Sequence, residues 1–339
     1  MKHASRRTRR CSSIGWLWLA LLSMGVSASA QTCQSAGDVD APVRTALENT
    51  AKRYFDMAVR GDTASLQQNS IPGVAASFAG IESAVKDNQP ALAGATATIR
   101  PPSLLIADGT APLPRAEFLC GVFGKLGQTS DSAVFVFNNL PPGKYGVAIL
   151  DAVGSPNALT LTLVLQEIGP DWKLAGFYAR PTQAGGHDGA WFTQRARDFK
   201  AKGQNRNAWL YYRQAVTLST PADFLSTLVT DRLYDEAQSV QLADLPIDGT
   251  TVDLTANGKV YKLTAIFPLA VGNDLDVVVK YQAADVSNTA QTFQENTVVI
   301  KALLAKFPEF RDAFTGIVAR AVEPSGRDYG SLVPMKDLN

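Results

Sequence analysis

The sequence predicts an α+β fold, with helices and strands gathered into separate stretches of the chain. Three observations carry this. Residues 40–60 show one apolar face at helical spacing; residues 95–179 are a succession of short apolar runs punctuated by Gly, Pro and Asn; and strand signals resume around Asn257-Gly258, after an aromatic helical stretch at 189–229. From a length of 339 residues alone, two domains are expected.

The N-terminus reads as an export signal. Lys2, Arg6, Arg7, Arg9 and Arg10 precede a mostly apolar run from Ile14 to Val26, and Ala28 and Ala30 occupy the A-x-A places of a cleavage site. At about 1.5 Å per residue that run spans roughly 20 Å, short of a bilayer core of roughly 30 Å. Cleavage after Ala30 is expected, leaving Gln31 first. Cys33 follows Ala30-Gln31-Thr32, which is not the context of a lipid-modified cysteine. The expectation is an exported protein without a transmembrane segment, periplasmic in a bacterium and secreted otherwise. The chain has 32 basic and 31 acidic residues, so losing the five cations of the signal leaves 27 against 31, a net charge near −4. Nucleic acid is excluded as the main partner, because phosphate neutralisation needs clustered excess cations. Cys33 and Cys120 remain after cleavage and have one intramolecular pairing, which an oxidising compartment favours.

The first helix has Asp40 to cap it, Pro42 in its first turn and Gly61 to end it. Val43, Leu47, Tyr54 and Ala58 form its apolar face; Arg44, Glu48, Lys52, Asp56 and Arg60 alternate in sign every four residues as an ion-pair ladder. The ladder makes Asp56 a solvated charge, not a catalytic acid. Asp62 caps a short helix to about Gln68, and a third helical stretch covers about Val74–Lys86. After Pro90 come short strands at Ala95–Arg100, Leu104–Ala107, Phe118–Phe123, Ala133–Phe137 and Tyr145–Leu150. A hairpin then runs from Ala158 to Ile168, turns at Gly169-Pro170-Asp171 and returns over Trp172–Ala179.

A helix ending Tyr54-Phe55-Asp56-Met57-Ala58-Val59-Arg60-Gly61-Asp62, two further helices and a curved antiparallel sheet closing on Trp172-Lys173-Leu174-Ala175-Gly176-Phe177 resemble the nuclear-transport-factor-two-like cone over about residues 40–180. The family includes enzymes, ligand binders and modules without chemistry, so the resemblance implies a pocket and no particular reaction. Phe118–Val147 carries more loop than a simple cone.

Phe192, Ala196, Phe199, Gly203, Ala208, Tyr212 and Ala215, with Pro221, resemble one tetratricopeptide repeat over 189–221. Small Ala196, Ala208 and Ala215 let two helices approach, and one copy cannot bury its face alone. The hairpin is therefore read as a connector packing on its neighbours. Pro221 is expected to open a third helix with Phe224, Leu225, Leu228 and Val229 as its stripe. Beyond it, Thr251–Ala256 and Lys259–Ile266 flank the Asn257-Gly258 turn; Leu275–Gln282 is a strand, about Thr292–Lys306 a helix and Gly316–Val322 a strand. The expected organisation is a signal at 1–30, a cone-like α+β domain at 31–184, a helical hairpin plus third helix at 185–237, and a smaller α+β domain at 238–339 built of three strands, helix and strand.

Chemistry-bearing motifs are sparse. His187 is the only histidine after cleavage, so a multi-histidine zinc site within one chain is excluded. It sits in Gly185-Gly186-His187-Asp188-Gly189, where Asp188 is placed to cap a helix and His187 reads as an exposed turn residue. The Gly121, Gly124-Lys125 fragment lacks the spacing of a phosphate loop, and Asp244–Asp248-Gly249 is too short for a calcium loop. No cofactor and no metal are expected. The one unusual local composition is 191–213, where Arg195, Arg197, Lys200, Lys202, Arg206 and Arg213 face only Asp198 among six aromatic residues. Arg197, Lys200, Arg206 and Arg213 form a candidate docking face for an acidic protein, an anionic polymer or a lipid surface; the alternative is a solvated face over an aromatic core. The expected function is a non-enzymatic exported binding or interaction module. The alternative is a cofactor-free enzyme using carboxylate and tyrosine groups in the cone.

Overall fold

Helices and strands stay segregated along the chain in the computed structural model, which describes residues 31–35, 37–121, 127–129, 132–154, 158–247 and 249–338. The expected export signal at 1–30, Gly124-Lys125 and Asp248 lie outside the described residues. The first unit runs β1 (Gln31–Gln34), α1 (Ala41–Val59), α2 (Thr63–Gln68), α3 (Pro72–Ala76), α4 (Ala79–Leu92), β2 (Thr96–Ile99), β3 (Ser103–Ala107), β4 (Leu113–Cys120), β5 (Ala133–Leu140), β6 (Gly143–Val153), β7 (Leu159–Ile168) and β8 (Asp171–Pro181). A clip of β9 (Gln183–Ala184) and β10 (His187–Asp188) leads to α5 (Gly189–Ala201) and α6 (Asn205–Ser219), then β11 (Leu225–Thr227) and α7 (Leu228–Gln238). The last stretch is β12 (Val252–Ala256), β13 (Lys259–Val271), β14 (Asp274–Gln282), α8 (Thr289–Lys306), β15 (Gly316–Val322) and β16 (Asp328–Pro334). The fold is α+β, and among the described residues no sheet closes into a barrel.

The main sheet has the order β1-β3-β6-β7-β8. β6 is long enough to serve two neighbours on one side, β3 along Gly143–Val147 and β2 along Leu150–Val153. Alternation assigns its two faces. Leu104, Ala148, Leu150, Leu161, Leu163 and Leu165 point to the helices, where Leu47, Tyr54, Phe55 and Leu66 are fully buried. Gly146 is what lets α1 lie close: a Cβ there would stand 2.2 Å from Leu47 Cδ2. Leu105, Tyr145, Val147 and Val164 point the other way, against a second sheet of order β11-β5-β4 carrying Phe118 and Phe135. The first unit is thus three layers, helices on sheet on sheet, and the extra chain between Phe118 and Val147 is that second sheet. Cys33 and Cys120 form a disulfide, with Cα atoms 5.2 Å apart, tying β1 to the end of β4.

The C-terminal sheet, β12-β13-β14-β15-β16, is antiparallel except where α8 carries the chain across from β14 to a parallel β15. One hydrophobic cluster runs from Phe192, Phe199 and Tyr211 of the helical hairpin through Leu263, Val279 and Ile317 of the sheet to Ile300 and Leu303 of α8. The hairpin's apolar face is buried by that sheet. Gly189 permits the tight start of α5, since a Cβ there would lie 2.4 Å from Ser219 Oγ.

Several elements depart from expectation. The stretch after Pro221 is not one helix. Leu225–Thr227 pairs with β5 as β11, and the helix starts only at Leu228, behind a capping box in which Thr227 Oγ1 accepts from the Thr230 N–H and Thr230 Oγ1 from the Thr227 N–H. Burial of Leu225 against the second sheet overrides local helix preference. The third helical stretch is split, α3 and α4 being separated at Ser77-Phe78, and α4 continues through Pro90. Pro90 falls in the last turn, where it removes a single bond to the Lys86 carbonyl. Asp62 caps α2 through the Ser65 N–H at 3.0 Å, but Asp40 makes no side-chain cap of α1. No rung of the α1 charge ladder comes within ion-pair distance among the described residues; Arg44 donates to the Val39 carbonyl instead. β1 and β16 had no sequence signal. β1 is too short to show a period, and Gly330 interrupts β16.

Candidate functional site

The 191–213 segment folds as expected from its residue types. Asp188 caps α5, accepting from the Trp191 N–H at 2.9 Å. Phe192, Phe199, Trp209, Tyr211 and Tyr212 are buried. Tyr211 donates to the Ala313 carbonyl at 2.6 Å, and burial pushes its hydroxyl up to about 12 despite nearby Arg195. His187 is exposed and lies flat on Trp191, with ring centroids 3.7 Å apart and planes 6° apart.

The four cations of the candidate docking face are placed against this same chain. Arg197 makes a two-pronged pair with Glu236 of α7 at 2.9 and 2.7 Å, and Lys200 donates to Ser239 Oγ at 2.9 Å. Arg206 bridges Asp244, at 2.5 and 3.1 Å, and Glu309, at 3.3 and 3.4 Å, with its guanidinium 4.6 Å above Phe307. Burial of Arg206 opposes its charge, and the two carboxylates outweigh it, raising its pKa. Arg213 lies 5.6 Å above the Trp209 ring. Arg197 and Lys200 share one side of the helical layer, facing α7; Arg206 sits at the start of α6 and Arg213 two turns further on. The structure does not gather the four into one patch.

The interior between the helices and the main sheet is filled. Tyr54, Phe55, Leu47, Leu66, Leu161 and Leu163 are all at 0% exposure. The Tyr54 hydroxyl lies 2.9 Å from the Trp172 carbonyl and 3.1 Å from that of Asn69, and burial is the first cause of its raised pKa. Asp151, with a pKa lowered by Arg100 and Thr160 against the opposing effect of burial, lies outside this interior and is held by Arg100 at 2.9 and 2.8 Å. Its partners Arg100 and Thr160 line a cleft of about 210 Å³, together with Arg180, Asp188, Gly189 and Ser219, where the first unit meets the helical layer. That joint is held by Thr162 Oγ1 donating to the Pro221 carbonyl at 3.2 Å, by the Arg180–Asp223 pair, and by Phe224 between Phe137 and Tyr178.

A groove of about 260 Å³ runs between α6 and β13, lined by Trp209, Arg213, Thr217, Ile247, Thr264 and Phe267 among others. It exists because β12 is shorter than its partner: β12 pairs with Lys259–Leu263 and stops, while β13 continues to Val271. No family model matches the chain, and no curated protein or solved structure does so either. The reading therefore stands on geometry. Of the four cations singled out in the sequence, Arg213 alone lines this groove. Its other wall was missed, because alternation in Lys259–Val271 announces a strand without telling how much of its edge is covered.

Proposed function

We propose that the chain is an exported, non-enzymatic interaction module, a cone-like α+β unit joined through a repeat-like helical hairpin to a second α+β unit. The observation that carries this is the filled interior of the first unit. The space that a substrate would need beneath the main sheet is occupied by Tyr54, Phe55 and leucines at 0% exposure, and the Tyr54 hydroxyl is engaged with main-chain carbonyls. Enzyme sites gather ionisable groups with displaced pKa values around an accessible hollow. Here the displaced groups Tyr211, Arg206 and Glu236 are spent on contacts between elements. The Cys33–Cys120 disulfide and the absence of any membrane-spanning helix among the described residues fit export.

The test is site-specific photo-crosslinking in living cells, with a benzophenone side chain at exposed positions of each unit. An interaction module gives discrete adducts at a few adjoining positions. An enzyme gives turnover in substrate panels that depends on Tyr54 or Asp151, and that result would overturn the proposal.

A further inference from the structure

β16 is the last strand of the C-terminal sheet, and its outer edge is bare. The Met335 N–H bond to the Thr315 carbonyl and the Glu323 N–H bond to the Arg327 carbonyl mark the two ends of its ladder with β15. Hydrogen-bonded pairs alternate along an antiparallel ladder. Tyr329, Ser331 and Val333 therefore turn their main-chain groups toward β15, and Asp328, Gly330 and Leu332 turn theirs outward. No described residue hydrogen-bonds to those outward main-chain groups. Natural proteins shorten, charge or cover such edges to stop other chains from pairing with them. β16 is seven residues long, residues 329–333 carry no charge, and Gly330 and Leu332 are exposed, Leu332 at 49%.

α8 adds apolar surface beside this edge. Glu295 reaches Lys259 at the start of β13, while Asn296 donates to the Tyr329 carbonyl and to Ser331 Oγ of β16. At 3.6 residues per turn, Phe293 lies roughly 160° around the helix from Glu295. That puts it on the β16 flank, where it is 49% exposed.

We propose that β16 pairs with β16 of a second copy of this chain, antiparallel across a two-fold axis at Ser331, joining two five-stranded sheets into one with both α8 helices on the same side. In this register Gly330 of one copy faces Leu332 of the other, and Asp328 faces Pro334, for about six main-chain hydrogen bonds. The strand complements itself on both faces. Leu332 falls opposite a residue with no side chain, and Tyr329 falls opposite Val333, an aromatic and β-branched pair of the kind that stabilises sheets. Charge selects the same arrangement. Asp328 is the one ionised residue of β16, held within its own copy by Arg320 at 2.8 Å. Antiparallel pairing sets the two copies of Asp328 about 20 Å apart at 3.3 Å per residue, where parallel pairing would set them side by side. It also brings each Asp328 to the end of the ladder where Lys336 of the other copy follows Pro334; Lys336 is exposed and in no ion pair with a described residue. A strand edge alone covers less than the roughly 800 Å² per partner of a standard interface, and Phe293 extends the contact on the helix side. The inference is independent of the interaction-module reading.

The experiment is sedimentation velocity of residues 31–339, the chain expected after export, over a hundredfold range of concentration, with hydrogen exchange at both ends of that range. Expected is a closed monomer–dimer equilibrium, with exchange of the Gly330 and Leu332 amides slowed at least tenfold in the dimer. Leu332→Lys, which charges the exposed edge, and Phe293→Ser, on the flank of α8, should each weaken dimerisation at least tenfold. Their melting temperatures should match wild type at a concentration where wild type is monomeric. A monomer at every concentration overturns the inference, and so does an open-ended assembly, which a two-fold contact cannot produce. A dimer whose Gly330 and Leu332 amides exchange as in the monomer, or that both variants leave intact, uses another surface and overturns it equally. None of these failures touches crosslinks to other proteins, which test the module reading separately.

Discussion

Arg197 of α5 and Glu236 of α7 meet through two hydrogen bonds of 2.9 and 2.7 Å, so a cation that reads as a docking group clamps two helices of its own chain. The Arg197 guanidinium, followed by the opposing effect of burial, brings the Glu236 pKa below its usual value. A carboxylate with a depressed folded-state pKa adds stability above its unfolded pKa, and that stability is lost as pH falls through the folded value. Both side chains are partly exposed, so the pair is worth roughly 0.3–1 kcal/mol. Glu236→Gln should therefore lower the urea midpoint slightly at pH 7, and the deficit should shrink as pH falls through the folded-state pKa of Glu236, where wild type loses the same contribution. An equal deficit above and below that value would show that the clamp works through shape and not charge.

The approach of α5 to α6 depends on Ala208, which is fully buried with Phe192, Ala196 and Phe199 in the same cluster. Ala208→Leu should overpack this contact and cost about 1–3 kcal/mol in denaturant unfolding. A loss under about 0.5 kcal/mol, the usual limit for a surface change, would place Ala208 away from the helix contact.

Much of this arrangement is legible in the residues. Period-four apolar spacing places α1, α5 and α6; Gly169-Pro170 and Asn257-Gly258 set the two best hairpins; and Cys33 and Cys120 form the pairing expected of them. These are local or forced choices. Leu225–Thr227 is a different matter, because its apolar residues fit a helix as well as a strand until β5 lies beside them. The cations of 197–213 are likewise ambiguous by composition, since Glu236, Asp244 and Glu309 reach them from 38 to 103 residues away. The groove at β13 is less visible still. It arises from a difference in length between two paired strands, and neither strand carries that difference in its own sequence.

The disulfide closes a loop of 87 residues and fastens the first strand to the second sheet. In the chain-entropy account such a loop contributes up to about 4.5 kcal/mol. On the proposed export, the chain should begin at Gln31 by mass spectrometry and show no free thiol on alkylation under denaturing, non-reducing conditions. Replacing both cysteines by serine should lower stability toward that limit and loosen β1 first, seen as faster exchange at Thr32 and Gln34. Two alkylated thiols in protein recovered from outside the cytoplasm would contradict both the pairing and the role given to β1.

Phe224 stands where the first unit, the second sheet and the helical layer converge, 4.6 Å from the Phe137 ring and 5.0 Å from that of Tyr178. Aromatic pairs of this kind are worth about 0.5–1.5 kcal/mol each beyond the area they bury. The rest of the joint includes the Thr162 bond to the Pro221 carbonyl, the Val136 N–H bond of 2.8 Å to the Phe224 carbonyl, the exposed Arg180–Asp223 pair and the short β11. The two flanking cores are separate clusters, each large enough to unfold on its own terms. Phe224→Ala should therefore cost about 2 kcal/mol and act mainly on coupling, splitting calorimetric unfolding into two transitions, while Phe224→Leu, which keeps most of the apolar volume, should hold them closer together. A substitution inside one core, such as Leu161→Ala, should shift only the transition of the first unit once the joint is cut. If Phe224→Ala unfolds in a single transition as sharp as wild type, the units are coupled through β11 pairing with β5, and the aromatic cluster only fills space between them.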